Sequence, residues 1–426
     1  MTDHGHEGHG HEGHGHAEPA KKHGDATPKH EHGDGHEHAS PPAATPATSG
    51  HTHAAATPAA TGASTGGHAH GHGTSPAAAH RPLPAIADLV AAARRALSAT
   101  VWDSIFGGAE TETTIRRNRA ALDGLAVRGR VLNDVSVVSP GGTLLGAAMR
   151  IPVVLAPIGS LRQVTPSGTV ASIAAAEAFG TIVIAAGGSI DARRDLTGHG
   201  GHAVLQVYAH GDRGWLMEQA DLASELGCIG ICLTADVPWF GRRERDLRRA
   251  ELPAGPYARS ANGHPATWAD VEALVARSRL PVIVKGILSA EDATAAVDRG
   301  AQAVYVSNHG GRQLDHAEAS ISVLPSVAEA VRGRAQVIVD GGFLRGTDVV
   351  KALALGADAV AIGKLQAIGL AAAAERGLVN TLEILEDELR TAMALMGVAA
   401  SADLAPDQIR AAPVVTGHPH PLDTFG

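Results

Sequence analysis

QVIVDGGFLRGTDVVKALALGADAVAIG, Gln336 to Gly363, carries two short apolar runs, QVIVDG and DAVAIG, on either side of GTDVVKALALG. Runs of this length with near-continuous hydrophobicity match strands buried on both faces. The segment between them begins near Thr and Asp and closes on Gly, which is helix punctuation. Strand, helix and strand in such close succession form a βαβ unit.

The same rhythm extends towards the N-terminus through IPVVLAP (151–157), TIVIAA (181–186), AVLQVYA (203–209), IGICLTA (229–235), PVIVKG (281–286) and QAVYVS (302–307), giving eight runs with the two above. SGTVASIAAAEAFG, GWLMEQADLASELG and SAEDATAAVDRG supply helical patterns between them. The predicted fold is α/β, a (β/α)8 TIM barrel. An open doubly wound sheet has the same local pattern, but no Gly-rich dinucleotide turn follows the first strand. PAIADLVAAARRALSA, with Ile86, Leu89, Val90, Ala93 and Leu97 on one side, predicts an amphipathic helix before the barrel. TLEILEDELRTAMALMG, with Leu382, Leu385, Leu389, Met393 and Met396 at helical spacing, predicts the last barrel helix.

Of 25 histidines, 17 precede Arg81, among Pro, Ala, Thr, Gly and Ser with hardly a large apolar residue. Residues 1–80 cannot bury enough surface to offset the entropy of ordering and are expected to be a disordered tail. Residues 81–426 then form one large domain, with 81–150 as an N-terminal helical extension. His4, His6, His9, His11, His14 and His16 fall in HxH and HxxH spacings beside acids, so the tail could take divalent Ni, Zn, Cu or Co, or serve only as a solubilising segment.

The formal charge of −9 includes −5 from the tail, and nothing in the remainder looks like a nucleic-acid surface. Cys228 and Cys232, the only cysteines, lie four apart in an apolar run; on a strand they would share a face, as small buried hydrophobes in a reducing compartment. No apolar run reaches the ~20 residues a membrane span needs. The N-terminus lacks the basic-then-apolar order of a secretory signal, and the expected location is the cytoplasm.

In this barrel, reactive groups come from the C-terminal ends of strands. Gln206, Tyr208, Thr234, Asp236, Lys285, Ser307, His309, Arg312 and Asp340 all stand there. Taken singly each could be a satisfied core polar group; six strands contributing together predict a site. Gly341, Gly342 and Gly363 let backbone approach a ligand just before helices begin, the standard phosphate position in a barrel, and Arg345 and Lys364 stand near enough to add charge.

SNHGGRQLD, with PVIVKGILSAEDA before it and VDGGFLRGTDVVKALALGADAVAIG after it, resembles the FMN-dependent 2-hydroxy acid oxidases and dehydrogenases, the family of glycolate oxidase, lactate oxidase, mandelate dehydrogenase and flavocytochrome b2. The similarity runs from about Leu97 to Leu404. It implies FMN as cofactor, a small 2-hydroxy acid as substrate and a homo-oligomer, a tetramer in the family. It also implies roles: His309 as base, Asp236 as the carboxylate that orients it, Arg312 and Arg243 as the clamp for the substrate carboxylate, Tyr208 as a hydroxyl near substrate and Lys285 as the cation beside the flavin. Gln206, Thr234 and Ser307 match polar contacts to ring or ribityl chain, Pro157, Ile158 and Gly159 the backbone near the flavin, and Asp340, Gly342 and Gly363 the surroundings of chain and phosphate. The chemistry agrees, since oxidising an anionic hydroxy acid needs a base, an anion clamp and an electron sink.

Several positions depart from the family pattern. Ser104 replaces a substrate-binding tyrosine and Gly188 a bulky aromatic, which predicts a roomier pocket. Leu344 and Lys364 replace phosphate-binding arginines, and the segment from Arg243 to Trp268 is shorter than the family's loop. The alternative reading is a flavin barrel that has lost the reaction and uses its tail for metal or partner binding.

Overall fold

Successive side chains on a strand point to opposite faces, so a strand with helices outside and packed core inside must be apolar throughout. The eight runs meet this condition, and each forms a strand: β1 (Val153–Leu155), β2 (Val183–Ala186), β3 (Ala203–Val207), β4 (Gly230–Thr234), β5 (Val282–Ile287), β6 (Ala303–Val306), β7 (Gln336–Val339) and β8 (Ala359–Ile362). They pair in parallel in chain order. β8 returns to β1 with Val360 opposite Val153 and Ile362 opposite Leu155, which closes the barrel. This is a computed structural model that describes residues 82–187, 191–209, 212–248 and 265–415. The tail, with His4, His6, His9, His11, His14 and His16, and Gly188 lie outside the described residues.

The interior is graded along the barrel axis. Val204, Cys232, Ile283, Tyr305 and Ile338 belong to one buried interior cluster. Two residues further along each strand, the period that returns a side chain to the same face, stand Gln206, Thr234, Lys285, Ser307 and Asp340. Apolar packing therefore fills the lower barrel and polar groups its upper mouth. The lower end is closed by an antiparallel hairpin, Gly142–Leu144 with Ala147–Met149, whose turn residues Leu145 and Gly146 both have positive φ. Leu144 and Met149 join the interior cluster, and the Gln336 side chain accepts from Leu145 N and donates to Thr143 O.

The extension before the barrel is thus only partly helical. Helices Ile86–Ala96, Ala99–Phe106 and Thr113–Asp123 are followed by this hairpin and by Leu125–Val127, which pairs with Ile409–Ala411. A barrel floor needs side chains pushed into a ring of strand ends, and a hairpin supplies them where the helical expectation did not.

Around the barrel, Thr169–Phe179, Arg213–Glu225, Ala290–Asp298 and Gly346–Ala354 are helical as expected. Asp212 accepts from Trp215 N and Ser289 from Asp292 N as N-caps. After β2 the described residues hold only the single turn Ala192–Asp195 and the 3-10 turn Gly200–His202. The last helix, Lys364–Met396, begins directly after β8 and breaks at Ala373 and Ala374. Either side of the break Gly369 and Gly377 pack closely: a Cβ on Gly377 would collide with Gly369 O, and one on Gly369 with Leu378 Cα and Thr381 Oγ1. Leu382, Leu385, Leu389, Met393 and Met396 are buried as their spacing predicts.

Cys228 and Cys232 are buried and unbridged, but they do not share a face. Cys228 sits in the turn before β4, its N–H bonded to Ala223 O, in the layer between barrel and helices, whereas Cys232 points inside. The four-residue spacing implies one face only if both residues lie on the strand. Among the described residues no helix is long and apolar enough to cross a membrane.

Candidate active site

A cavity of about 290 Å³ opens at the C-terminal ends of the strands. His309, Arg312, Arg243, Tyr208 and Lys285 line it, together with Pro157, Ile158, Gly159, Asp340, Gly342, Gly363 and Lys364. Gln206, Thr234, Ser307 and Asp236 support the lining groups from behind.

The turn after β6 builds the acid–base centre. His309, Gly310 and Gly311 are three successive residues with positive φ, 57, 62 and 73°. A Cβ at Gly311 would lie 2.9 Å from Ile115 N, so only glycine allows the helix Thr113–Asp123 to pack there. Gly310 has open space around it, so the close backbone approach belongs to Gly311. Asn308 and Asn118 exchange side-chain amide bonds of 2.8 and 2.9 Å beneath the turn. His309 N donates to Ser307 Oγ, which also accepts from Lys285 Nζ, both at 3.0 Å.

His309 Nδ1 lies 3.0 and 3.1 Å from the two Asp236 oxygens, which fixes Nδ1 as the protonated nitrogen and leaves Nε2 for a substrate. Burial would raise Asp236, but the charges of His309 and Lys285, the latter 4.0 Å away, prevail and bring it to about 2. Burial lowers His309 below its ordinary value, against the upward pull of Asp236. The pair is therefore an ionised carboxylate holding a neutral imidazole at pH 7, the state a general base requires.

The two guanidiniums come from different loops. Arg312 Nη1 donates to Gly107 O at 2.8 Å, and Arg243 Nε reaches Arg312 O at 3.4 Å. Burial and then the neighbouring Arg243 push Arg312 down to about 9, so it stays charged at neutral pH. The loop after the helix Ala99–Phe106 ties both to the barrel: Ala109 N donates to Gly311 O, Glu110 N to Arg242 O, and Arg245 pairs with Glu112 at 2.5 Å. Asp315 accepts from Thr111 N and Thr114 N, which with Thr111 Oγ1 hold it far below the carboxylate range despite burial.

Gly341 and Gly342 adopt φ of 108 and 88° against Asn118. Gln206 Nε2 donates to Thr234 Oγ1 at 2.8 Å, while Gln206 Oε1 and Asp340 Oδ1 are buried without a partner. Two unanswered acceptors at the upper end of the barrel, one of them on the residue directly before Gly341, fit a ligand rich in donors, as FMN is with its ring N–H and ribityl hydroxyls. Arg345 departs from its predicted role. It does not line the cavity; its guanidinium turns outward to pair with Glu388 at 2.6 Å, and its side chain is 52% exposed. Leu344 lines the wall there instead. Lys364 does line the cavity and donates to Gly310 O at 3.2 Å. Among the described residues no group of three or more His, Cys, Asp or Glu could hold a metal ion.

Three contributors went unread in the sequence. Asn118 is an asparagine on a helix with no visible signal. Phe240, three residues before Arg243, lines the cavity too, and Tyr305 sits within an apolar strand pattern although a tyrosine inside a barrel needs a partner for its hydroxyl.

A parallel barrel whose mouth joins an imidazole–carboxylate pair to two guanidiniums and a cradle for a donor-rich ligand defines a cofactor-dependent oxidoreductase. The family described as FMN-dependent dehydrogenase matches residues 93–265 and 254–411, and the chain belongs to it. Among curated relatives, an L-lactate oxidase of Nostoc sp. is 37% identical over 73% of this chain and 94% of its own, and a 4-hydroxymandelate oxidase of Amycolatopsis orientalis is 38% identical over 73% and 94%. A glycolate oxidase of Oryza sativa is 36% identical over 76% and 95%. The crystal structure of a mandelate oxidase superposes with a TM-score of 0.72 at 37% identity, covering 77% of this chain and 98% of that one.

FMN is the cofactor, and when bound it supplies the two-electron acceptor that no side chain provides. Gln206, Thr234, Lys285, Ser307, Asp340, the glycines and Lys364 are the residues that would hold it. Burial and the nearby Arg312 charge push Lys364 down to about 7. A phosphate would restore its charge, so binding above pH 7 must take up a proton. FMN affinity is therefore expected to fall as pH rises above about 7, by up to ~10-fold per unit. Lys364→Arg should flatten that dependence in fluorescence titrations of the cofactor-free protein.

Proposed function

We propose that this protein oxidises 2-hydroxy acids with bulky, aromatic side chains to the corresponding 2-oxo acids. The observation that carries the reaction is one cavity lined by His309, held by Asp236, together with Arg312 and Arg243. Arg243 and Arg312 take the substrate carboxylate as paired donors and so orient the carbon bearing the hydroxyl. The oxidation removes two protons and two electrons: His309 Nε2 accepts one proton and Asp236 stabilises the imidazolium that results, while FMN, when bound, would take the electron pair and the remaining hydrogen. Lys285 lines the same cavity, and its ammonium would stabilise the negative charge that bound FMN gains on accepting the two electrons.

The size preference rests on Ser104. Its small side chain stands on the cavity wall, and Phe240 offers an aromatic face on the same cavity. A 4-hydroxymandelate oxidase among the relatives supports an aromatic substrate. The test is anaerobic bleaching of the flavin absorbance with a panel of 2-hydroxy acids. Mandelate-sized acids should bleach it faster than glycolate; bleaching by glycolate and none by mandelate overturns the preference. Ser104→Tyr should shift the glycolate-to-mandelate ratio of kcat/KM towards glycolate by about 10-fold or more, since side-chain bulk in a pocket discriminates at that level.

A further inference from the structure

Tyr305 belongs to the buried interior cluster with Val204, Cys232, Ile283 and Ile338, and its partner across the ladder between β5 and β6 is Lys285. It is fully buried, so its hydroxyl must find a partner inside the protein. It donates to Asp340 Oδ2 at 2.9 Å. The other oxygen of that carboxylate, Oδ1, has no partner, and Asp340 lines the cofactor cavity. The Tyr305 ring lies under Lys285, whose Nζ is 5.2 Å from the ring centre. One side chain thus touches both the carboxylate and the ammonium that border the cofactor.

We propose that Tyr305 is a positioning residue for FMN: its hydroxyl fixes Asp340 with Oδ1 presented to the cofactor, and hydroxyl and ring together set the charge balance between Asp340 and Lys285 that governs how tightly reduced FMN is held. The hydroxyl disperses the carboxylate's charge, and the ring face supports the ammonium. Burial and Asp340 hold the phenol well above its ordinary value, so it remains a donor throughout the working pH range. A phenylalanine would fill the same space and keep the ring, while leaving Asp340 with both oxygens unanswered. Its concentrated negative charge would oppose the extra negative charge of reduced FMN more than it opposes the oxidised form.

The test is Tyr305→Phe, read by FMN titration of the cofactor-free protein and by the midpoint potential of the bound cofactor. The inference rests on FMN being the cofactor, which wild-type protein tests first: if it binds no FMN, that reading fails and the inference with it. With wild type binding, the variant should bind oxidised FMN about 10-fold more weakly, as expected for losing a hydrogen bond to a charged group. Reduced FMN should lose a further ~10-fold, which lowers the potential by about 30 mV for a two-electron couple. Weaker binding with an unmoved potential marks a merely structural tyrosine and overturns the proposal, as does no change in either.

Should the single variant fail to fold, Asp340→Asn removes the unanswered charge and permits the comparison. FMN affinity of the Tyr305→Phe/Asp340→Asn protein equal to that of Asp340→Asn alone supports action through Asp340. A further fall overturns it.

Discussion

His309→Gln is expected to lower the rate of substrate oxidation about 1,000-fold while leaving FMN bound. A positioned general base contributes roughly 100- to 10,000-fold, and this imidazole lines the cavity together with both guanidiniums. The measurement is stopped-flow reduction under anaerobic conditions, with the visible spectrum as the check on cofactor content. A fall of less than ~10-fold would assign the base elsewhere. The pH profile carries a second check. Burial lowers the His309 pKa below its ordinary value, and the neutral form is the active one, so kcat/KM should stay level down to about pH 6.5 and fall only below it. Asp236 raises that pKa, so Asp236→Asn should move the acid limb lower still while reducing the maximum rate about 100-fold or more. Asp236 itself, near 2, remains ionised across the whole profile.

Arg312→Met is expected to reduce kcat/KM about 100-fold. A hydrogen bond to a charged group is worth ~1.5–3 kcal/mol, and a bidentate pairing lies at the upper end. The loss should appear mainly in KM, because the clamp holds substrate and transition state alike. Arg312→Lys should recover little of it. Its ammonium carries all its donors on one atom and cannot offer a carboxylate two parallel N–H groups while donating to Gly107 O, whereas the guanidinium fork can. Initial-rate kinetics on any accepted 2-hydroxy acid decide the matter; a lysine variant within ~3-fold of wild type would show that charge alone holds the substrate.

The eight strands were legible because a wall buried on both faces leaves its mark on every residue. Most of the site was legible for the complementary reason: Gln206, Lys285 and Asp340 have no structural cause to end an apolar strand. What escaped the sequence was direction. Arg345 stands beside the cradle in the chain, yet Glu388, 43 residues away, draws it to the outside. Cys228 and Cys232 had the right spacing for one face, but one of them precedes the strand. The hairpin under the barrel was hidden because its value lies in Leu144 and Met149 filling a ring of strand ends, a tertiary demand that a segment as short as GTLLGAAM does not announce. Tyr305 was hidden by company, a hydroxyl among apolar neighbours whose partner lies 35 residues further on.

The ties between the segment before the barrel and the turn after β6 also bear on how the protein is made. Thr114 and Asp315 are 201 residues apart, and Arg312 meets Gly107 across 205. During synthesis the carbonyl that backs the clamp waits, unpaired, until the sixth strand has been added. Contacts of such long separation form late, after the local helix and strand units that feed the barrel. A chain arrested or truncated before that point can hold much of a barrel wall without a working anion site, so substrate binding reports complete assembly where helix content does not.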